Sequence, residues 1–179
     1  MKLLVGNKMP NFTVDTPWKR GVSMKSLLGD KKTAILFLRY EGCTLCRFDM
    51  MILNDEYDKI KQAGGKVLVV LQSDPDKLIK DLDESYYPFE IICNPNLELY
   101  NQLEIMPAES EEKMIGPESM EKLERMKASG LEHGESEGIE TQLPAAFVVD
   151  KDFNITYSHY ATTITDIPDV DKLAQLLQI

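Results

Sequence analysis

The sequence predicts an α/β sandwich in which helices flank a central mixed β-sheet. First, apolar runs of strand length alternate with helical patterns over the first half of the chain, which is typical of parallel β-α-β units. Second, two later apolar runs are joined by a short turn and can pair only antiparallel. The order β-α-β-α-β-α, a polar stretch and β-β-α thus predicts a mostly parallel sheet ending in a hairpin, within one domain over residues 1–179.

The first half of the chain supplies the parallel strands and their helices. Its strands are continuous apolar runs, which fit burial on both faces of a sheet. From Thr44 to about Gln62, apolar residues recur at helical spacing and form one stripe, and Ala63–Gly65 ends the pattern. A second helix begins near Ser73, where a capping side chain precedes a proline. The predicted strands are Asn11–Val14, Thr33–Arg39, Lys66–Gln72 and Pro88–Cys93, and the stripe is Cys46, Met50, Leu53, Tyr57 and Ile60.

The second half opens with a short helix after Asn94 and then changes in composition. Residues 104–140 are rich in Glu, Lys, Met and Gly, and we interpret them as an acidic, partly helical insertion. One amphipathic helix fits there, with Met120, Leu123 and Met126 facing inward. The predicted elements are the helix Glu118–Ala128, the flexible loop Gly130–Glu137, the strands Ala145–Asp150 and Asn154–Tyr160, and a last helix from Pro168-Asp169.

The charge of the chain excludes some classes of partner. Its 179 residues carry a formal net charge of −10, from 20 Lys+Arg against 30 Asp+Glu. A chain without a basic surplus is poorly suited to the phosphate backbone of nucleic acids or to an anionic membrane surface. The sequence has no apolar run of membrane-spanning or signal-peptide length. We therefore expect a cytoplasmic protein with no nucleic-acid or membrane partner.

Two of the three cysteines, Cys43 and Cys46, are spaced C-x-x-C between a predicted strand and a predicted helix. The first N–H groups of a helix lack partners and, with the helix dipole, favour an anion, so they lower the pKa of a thiol placed there. Arg39 and Arg47 either add to this effect or are ordinary surface residues. This context within an α/β pattern predicts a redox-active dithiol.

The helical spacing also predicts different roles for the two thiols. Cys46 lies one turn after Cys43, so the two sulfurs share a face and come within disulfide reach. Because Cys46 belongs to the apolar stripe, we expect it to be the more buried thiol. Cys43 then attacks, and Cys46 resolves the mixed intermediate into an intramolecular disulfide that an external thiol can reduce. Cys93 is interpreted as an inert core thiol, with a remote resolving role as the alternative.

A structural zinc site is the competing interpretation of C-x-x-C. Such a site needs two further ligands, and the candidates Cys93, His133 and His159 are not paired at ligand spacing. We therefore expect no metal and no cofactor.

Leu143-Pro144 comes immediately before the first late strand. A proline there often only marks the start of an edge strand, but in a redox fold it can be cis and lie against the active-site cysteines. We expect the cis form. Just before it, residues 104–140 hold eleven Glu against three Lys and one Arg, a net charge of −7, whereas the rest of the chain carries −3. We expect this segment to form a lid or recognition surface that disfavours acidic substrates and prefers basic ones.

Several motifs, in a fixed order, resemble the peroxiredoxin-like branch of the thioredoxin-fold superfamily, related to alkyl hydroperoxide reductase and thiol-specific antioxidant proteins. They cover the chain except roughly residues 106–140. The resemblance implies a thioredoxin-like α/β sandwich and thiol-based redox chemistry. The motifs are Gly6–Val14, similar to G-x-x-x-P-x-F; Ser23–Gly29, similar to S-L-x-x-L-x-G; the strand-to-active-site passage Ile35–Cys46; Cys93–Asn96, similar to a D-P-x helix start; and the late hairpin from Leu143 to Asp152.

The active site departs from that family. Peroxiredoxins usually carry Pro seven residues, and Thr or Ser three residues, before the attacking cysteine, where this chain has Leu36 and Tyr40. Their late arginine is replaced by Pro144 and Ala145. The dithiol resembles that of thioredoxin, although Trp-Cys-Gly-Pro-Cys becomes Gly42–Cys46 here. The residues expected to support Cys43 and Cys46 are Arg39, Tyr40, Gly42, Thr44, Leu143 and Pro144.

Three functions are compatible with these features. The first is a thiol–disulfide oxidoreductase that cycles Cys43 and Cys46 between dithiol and disulfide. The second is a thiol peroxidase that reduces hydroperoxides with the Cys43 thiolate. The third is a redox-silent binding module. Both enzymes need an external thiol reductant, such as a thioredoxin or glutathione system, and a disulfide or peroxide substrate; the oligomeric state is left open.

Overall fold

The computed structural model describes residues 1–178 and shows a five-stranded mixed sheet in the order β5-β4-β3-β6-β7. The strands are β1 (Thr13–Val14), β2 (Val22–Ser23), β3 (Thr33–Phe37), β4 (Lys66–Leu71), β5 (Glu90–Cys93), β6 (Ala145–Val149) and β7 (Ile155–Tyr160). The helices are α1 (Thr44–Asp55), α2 (Tyr57–Gln62), α3 (Pro75–Asp81), α4 (Glu98–Gln102), α5 (Ser119–Ala128) and α6 (Val170–Leu177). The predicted mixed α/β sandwich is thereby confirmed.

Strand β3 is the centre of the sheet. It pairs parallel with β4, where Thr33 lies opposite Lys66, and antiparallel with β6, where Thr33 lies opposite Val149. All five residues of β3 are buried, as its continuous apolar run predicts. The late strands β6 and β7 form the predicted antiparallel hairpin, and β1 and β2 pair in a separate two-stranded sheet.

Alternate residues of β3 point into two cores, because successive side chains of a strand face opposite sides of the sheet. Ala34 and Leu36 belong to the core under α1, α2 and α6, and Ile35 and Phe37 belong to the core under α4 and the N-terminal segment. The predicted stripe faces the first core and is buried throughout: Cys46, Met50, Leu53, Tyr57 and Ile60. The C-terminal end of β3, which leads to Cys43, therefore lies between the two cores at the centre of the sheet.

The helix predicted from Thr44 to Gln62 is two helices, so that prediction is wrong in its continuity. Glu56 leaves helical geometry, with φ −108° and ψ 14°, and separates α1 from α2. Helix α2 packs against α6, where Lys59 and Asp171 pair at 2.8 Å. The Tyr57 hydroxyl also accepts a 3.1 Å hydrogen bond from the backbone N–H of Val67 in β4.

Helix α5 docks the acidic segment, residues 104–140, on α1. Lys122 pairs with Asp49 at 2.6 Å, with the two side chains only 17% and 11% exposed. Ser119 is buried and accepts a 2.8 Å hydrogen bond from the Thr165 hydroxyl. Adjacent helical residues point about 100° apart, so the neighbouring Met120 faces solvent and is 51% exposed, contrary to the prediction. Leu123 and Met126 pack against the core as expected.

The predicted cis bond at Leu143-Pro144 is wrong: within residues 1–178, no peptide bond is cis. Gln142 forms a bridge with Pro107, and the Pro144 carbonyl already accepts a 3.1 Å hydrogen bond from the Ala161 N–H. The backbone is therefore extended on both sides of the bond, and the trans form continues directly into β6. Among the described residues, no helix has the length and apolar character needed to cross a membrane.

Candidate active site

Cys43 lies where the chain leaves the sheet and starts α1. Its backbone is extended, with φ −67° and ψ 122°, and its sulfur caps the helix by accepting a 3.2 Å hydrogen bond from the Cys46 N–H. An extended residue with a side-chain acceptor is the usual way to satisfy the first free N–H groups of a helix. The predicted position of Cys43 at the start of the helix is therefore observed. Both thiols are free and buried, and their exposed fractions of 0% for Cys43 and 4% for Cys46 do not make Cys46 the less accessible thiol, contrary to the expectation from the apolar stripe.

Arg39 contacts both sulfurs. Its Nη2 donates to Cys43 Sγ at 2.9 Å, and its backbone N–H donates to Cys46 Sγ at 3.4 Å. Arg47 is used differently, because its guanidinium pairs with the Glu41 carboxylate at 3.0 Å. Of the two arginines that the sequence suggested, only Arg39 bonds to a sulfur.

These contacts separate the two thiols in acidity. The hydrogen bond from the Cys46 thiol is the largest influence on Cys43, and with the Arg39 charge it outweighs burial and lowers the pKa of Cys43 to about 7. Burial, followed by the hydrogen bond and negative charge of Cys43, raises the pKa of Cys46 well above its ordinary value. A thiolate in this pair therefore resides on Cys43, since a buried charge is stable only where partners stabilise it.

A segment of the acidic region packs against Gly42, the residue before Cys43; we call residues 131–140 the strap. The Gly134 N–H donates to the Gly42 carbonyl at 2.7 Å, and Arg47 Nη1 donates to the Glu132 carbonyl at 2.8 Å. A Cβ on Gly42 would lie 2.4 Å from the Glu135 carbonyl oxygen. The Cys43 residue is 0% exposed.

Gly130–Glu137, predicted as a flexible loop, is thus irregular but held in place. Its attachment extends beyond the C-x-x-C loop: Lys77 of α3 pairs with Glu135 at 3.1 Å, and the Asp74 N–H donates to Glu137 at 2.9 Å. The fixed path results from these contacts with distant parts of the chain, which a local composition pattern does not contain.

The sequence model of the AhpC/TSA family matches residues 5–158, which is most of the chain. The chain belongs to the AhpC/TSA family. It is therefore an oxidoreductase, and the predicted peroxiredoxin-like branch of the thioredoxin-fold superfamily is confirmed.

Individual relatives of this AhpC/TSA protein include both disulfide and peroxide enzymes. The thiol-disulfide oxidoreductase ResA of Bacillus cereus is 23% identical over 136 residues, which cover 69% of this chain and 76% of that protein. The thiol peroxidase from Chromobacterium violaceum superposes with a TM-score of 0.63 at 15% identity, covering 99% of this chain and 87% of that chain. A candidate thiol:disulfide interchange protein DsbE from Chlorobium tepidum gives a TM-score of 0.60 at 16% identity, with 98% and 96% covered. These structures share the thioredoxin-like fold.

Tyr40 occupies the position where peroxiredoxins usually carry Thr or Ser. In this AhpC/TSA protein its hydroxyl donates to Glu140 Oε1 at 2.7 Å and lies 2.9 Å from His133 Nε2. Burial, with the Glu140 hydrogen bond, raises the pKa of Tyr40 to about 12, so the phenol stays protonated. Tyr40 therefore fastens both ends of the strap. His133, considered from the sequence only as a zinc ligand, and Glu140 lie 93 and 100 residues away from Tyr40, so no local pattern indicates these contacts.

The other expected support residues divide into two groups. Pro144 lines a cavity of about 10 Å³ together with Cys46, Arg39 and Asp49, so it lies near Cys46, with its peptide bond in trans. Thr44 is the half-buried first residue of α1, and Leu143 contributes its carbonyl to a 3.0 Å hydrogen bond from Gln142. Neither Thr44 nor Leu143 lines that cavity.

Cys93 ends β5, two strands from β3 in the sheet. Burial raises the pKa of Cys93 to about 12, which fits the inert core thiol rather than the remote resolving role. Within the described part of the AhpC/TSA chain, no group of three or more His, Cys, Asp or Glu side chains is placed to hold a metal ion.

Proposed function

We propose that this AhpC/TSA protein is a thiol–disulfide oxidoreductase that cycles Cys43 and Cys46 between dithiol and disulfide. The observation that carries the proposal is the unequal pair: Arg39 donates to Cys43 Sγ at 2.9 Å, and burial keeps Cys46 protonated one helical turn away. An attacking thiol benefits from a pKa near the ambient pH, and a resolving thiol needs proximity more than acidity.

The reaction takes two exchange steps. The Cys43 thiolate attacks one sulfur of a substrate disulfide, forms a mixed disulfide and releases the other sulfur as a thiolate, which takes up a proton. Cys46 then loses its proton, attacks Cys43 Sγ and releases the second substrate thiolate. The substrate gains two electrons, and the protein retains a Cys43–Cys46 disulfide. An external thiol, for which a thioredoxin or glutathione system is the proposed source, reduces that disulfide by the same exchange.

Peroxide reduction is the second candidate, and the Arg39 contact favours it, because a guanidinium beside a thiolate can also donate to a peroxide oxygen. In that reaction Cys43 takes one peroxide oxygen and becomes a sulfenic acid, and an alcohol or water leaves. Cys46 then condenses with the sulfenic acid, so that a disulfide forms and water leaves. The Tyr40 hydroxyl is already bonded to Glu140 and near His133, which supports the disulfide reaction as the first proposal.

The test compares two substrates with the reduced protein. We expect a protein disulfide to be reduced with formation of a Cys43–Cys46 disulfide, detected by mass spectrometry of peptides, and hydrogen peroxide to be consumed more slowly. Faster peroxide consumption would establish the peroxidase instead. Failure to form the disulfide with any oxidant would leave the redox-silent binding module. The cytoplasmic location is also a proposal, supported by a content of three cysteines in 179 residues, which is too low for a disulfide scaffold, and cell fractionation tests it.

A further inference from the structure

The strap contacts three cationic side chains of the scaffold, of which Arg47 also pairs with the scaffold carboxylate of Glu41. Arg39 Nη1 donates to the Glu140 carbonyl at 2.6 Å, Arg47 Nη1 donates to the Glu132 carbonyl at 2.8 Å, and Lys77 pairs with the Glu135 carboxylate at 3.1 Å. Arg39 lies in the segment between β3 and Cys43, Arg47 in α1 and Lys77 in α3, so cations from three parts of the scaffold hold the strap. The strap itself supplies the opposite charge through four glutamates: Glu132, Glu135, Glu137 and Glu140.

The strap is bound in the way that an extended peptide would be. Backbone bonds fix its path: the Gly134 N–H donates to the Gly42 carbonyl at 2.7 Å, and the Ile139 N–H donates to Gln72 Oε1 at 2.9 Å. Between them, the Glu137 carboxylate accepts from the Asp74 N–H at 2.9 Å. Peptide recognition on a protein surface combines main-chain hydrogen bonds, which fix the position of the peptide, with side-chain contacts, which select its charge.

The strap lies next to a nucleophile that is closed to solvent. Cys43 is 0% exposed, and a Cβ on Gly134 would lie 3.0 Å from the Gly42 Cα, so the strap backbone lies directly on the residue before the nucleophile. A disulfide of a protein or peptide cannot meet the buried sulfur in this arrangement, and removal of the strap would uncover the residue beside it.

We infer that the strap stands in for the substrate, and that the face beneath it accepts an acidic, extended peptide segment that carries the disulfide. This inference rests on the proposed thiol–disulfide exchange. Once the strap is displaced, Arg39 loses Glu140 and Lys77 loses Glu135, and an acidic segment restores these partners. Arg47 keeps its pairing with Glu41 and loses only the Glu132 carbonyl. A basic segment would instead place cations beside cations, which is unfavourable.

The inferred preference is opposite to the one expected from the sequence, in which the acidic segment favours basic substrates. The difference arises because three carboxylates of the strap bond to the scaffold. Those of Glu135 and Glu137 bond to Lys77 and to the Asp74 N–H, and that of Glu140 bonds to Tyr40. These three carboxylates next to the active site are used by the scaffold and are therefore not free to pair with a basic substrate.

The test uses matched peptides that differ only in charge. Each has one cysteine in a mixed disulfide with 2-mercaptoethanol, a neutral leaving group, flanked by Glu, Gln or Lys. We expect the full-length reduced protein to react with the Glu peptide at least about tenfold faster than with the Lys peptide at low salt, and the ratio to shrink as salt is added. Equal rates, or faster reaction with the Lys peptide, would overturn the inference.

A charge reversal on the face provides the second measurement. Lys77→Glu is expected to abolish or invert the preference for the Glu peptide. It replaces the cation that pairs with Glu135, and that would pair with a glutamate of the peptide, by an anion. Lys61→Glu makes the same change on the exposed side of α2 and is expected to keep the preference. The control for the chemistry is a small neutral disulfide, 4,4′-dithiodipyridine. If it oxidises the protein to the Cys43–Cys46 disulfide and the peptides show no charge preference, only the inference fails. If no disulfide of any kind reacts, the proposed function fails with it.

Discussion

Replacing Arg39 by glutamine removes the positive charge that contacts Cys43 at 2.9 Å. A hydrogen bond to a charged group contributes about 1.5–3 kcal/mol, and one pKa unit corresponds to about 1.4 kcal/mol. The substitution should therefore raise the pKa of Cys43 from about 7 by about one to two units. At about pH 7 the thiolate fraction would fall from about one half to between about one tenth and one hundredth.

The assay is the rate of alkylation of Cys43 by iodoacetamide as a function of pH, in a Cys46→Ser, Cys93→Ser background so that one thiol reacts. The serine introduced at position 46 alters the largest stabilising contact of Cys43, so Arg39 and Arg39→Gln are compared within that background. Because the thiolate is the form that reacts, the alkylation rate rises with pH through the pKa of Cys43 and then reaches a plateau. We expect the midpoint to move to higher pH in Arg39→Gln, and the rate to recover under alkaline conditions.

Arg47→Gln is the matched control for this measurement. Arg47 lies in the same region and, like Arg39, donates to a strap carbonyl, but its guanidinium pairs with Glu41 and bonds to neither sulfur. Loosening of the strap alone therefore changes the plateau rate in both variants, whereas the midpoint should shift in Arg39→Gln only. An unchanged midpoint in Arg39→Gln would refute the assignment of Arg39 as the partner of the thiolate.

Three further predictions address the roles of single residues. Cys46→Ser should accumulate a mixed disulfide between Cys43 and a disulfide substrate, visible on a non-reducing gel, whereas Cys93→Ser should complete turnover; accumulation in the wrong variant would reverse the roles. Gly134→Val places a side chain against Arg47 and the Gly42 Cα, so it should displace the strap and raise the alkylation rate of Cys43 at least about tenfold. Gly64→Ala introduces backbone strain before β4, at the opposite end of the sheet from Cys43, and should leave that rate within about twofold. Tyr40→Phe removes the hydroxyl bonded to Glu140, so the free energy of unfolding in urea should fall by about 0.5–1.5 kcal/mol, and no loss would show that this bond does not hold the strap.

The parts of the structure that the sequence predicts correctly are those governed by local periodicity. The apolar run of β3 and the stripe from Cys46 to Ile60 follow from burial, which leaves a pattern in neighbouring residues. The position of Cys43 at the start of α1 follows from the same strand-to-helix pattern. Met120 shows the limit of such patterns, because the buried hydroxyl contact of Ser119 with Thr165 decides which side of α5 faces the core.

The polar, glycine-rich composition around the strap predicts a flexible loop, which the structure does not show. Its glycines are instead places of close approach: Gly134 lies against Gly42, and Gly138, at φ +63°, lies against Gln72. Glycine permits both flexibility and tight backbone contact, and only the partner distinguishes the two. The partners here are distant in sequence, so a single sequence does not reveal them.

Burial of Cys43 has two effects on the proposed reaction, and the site offsets only one of them. Burial opposes the thiolate, and the Cys46 thiol and Arg39 outweigh it, so the pKa of Cys43 still falls. Burial also withholds the sulfur from any substrate, and no contact in the closed site reverses that. The Cys43 thiolate is therefore stabilised although its sulfur is inaccessible to a substrate. Selectivity should then depend less on the reactivity of Cys43, which every substrate meets alike, than on how well a segment replaces the strap on Arg39, Arg47 and Lys77.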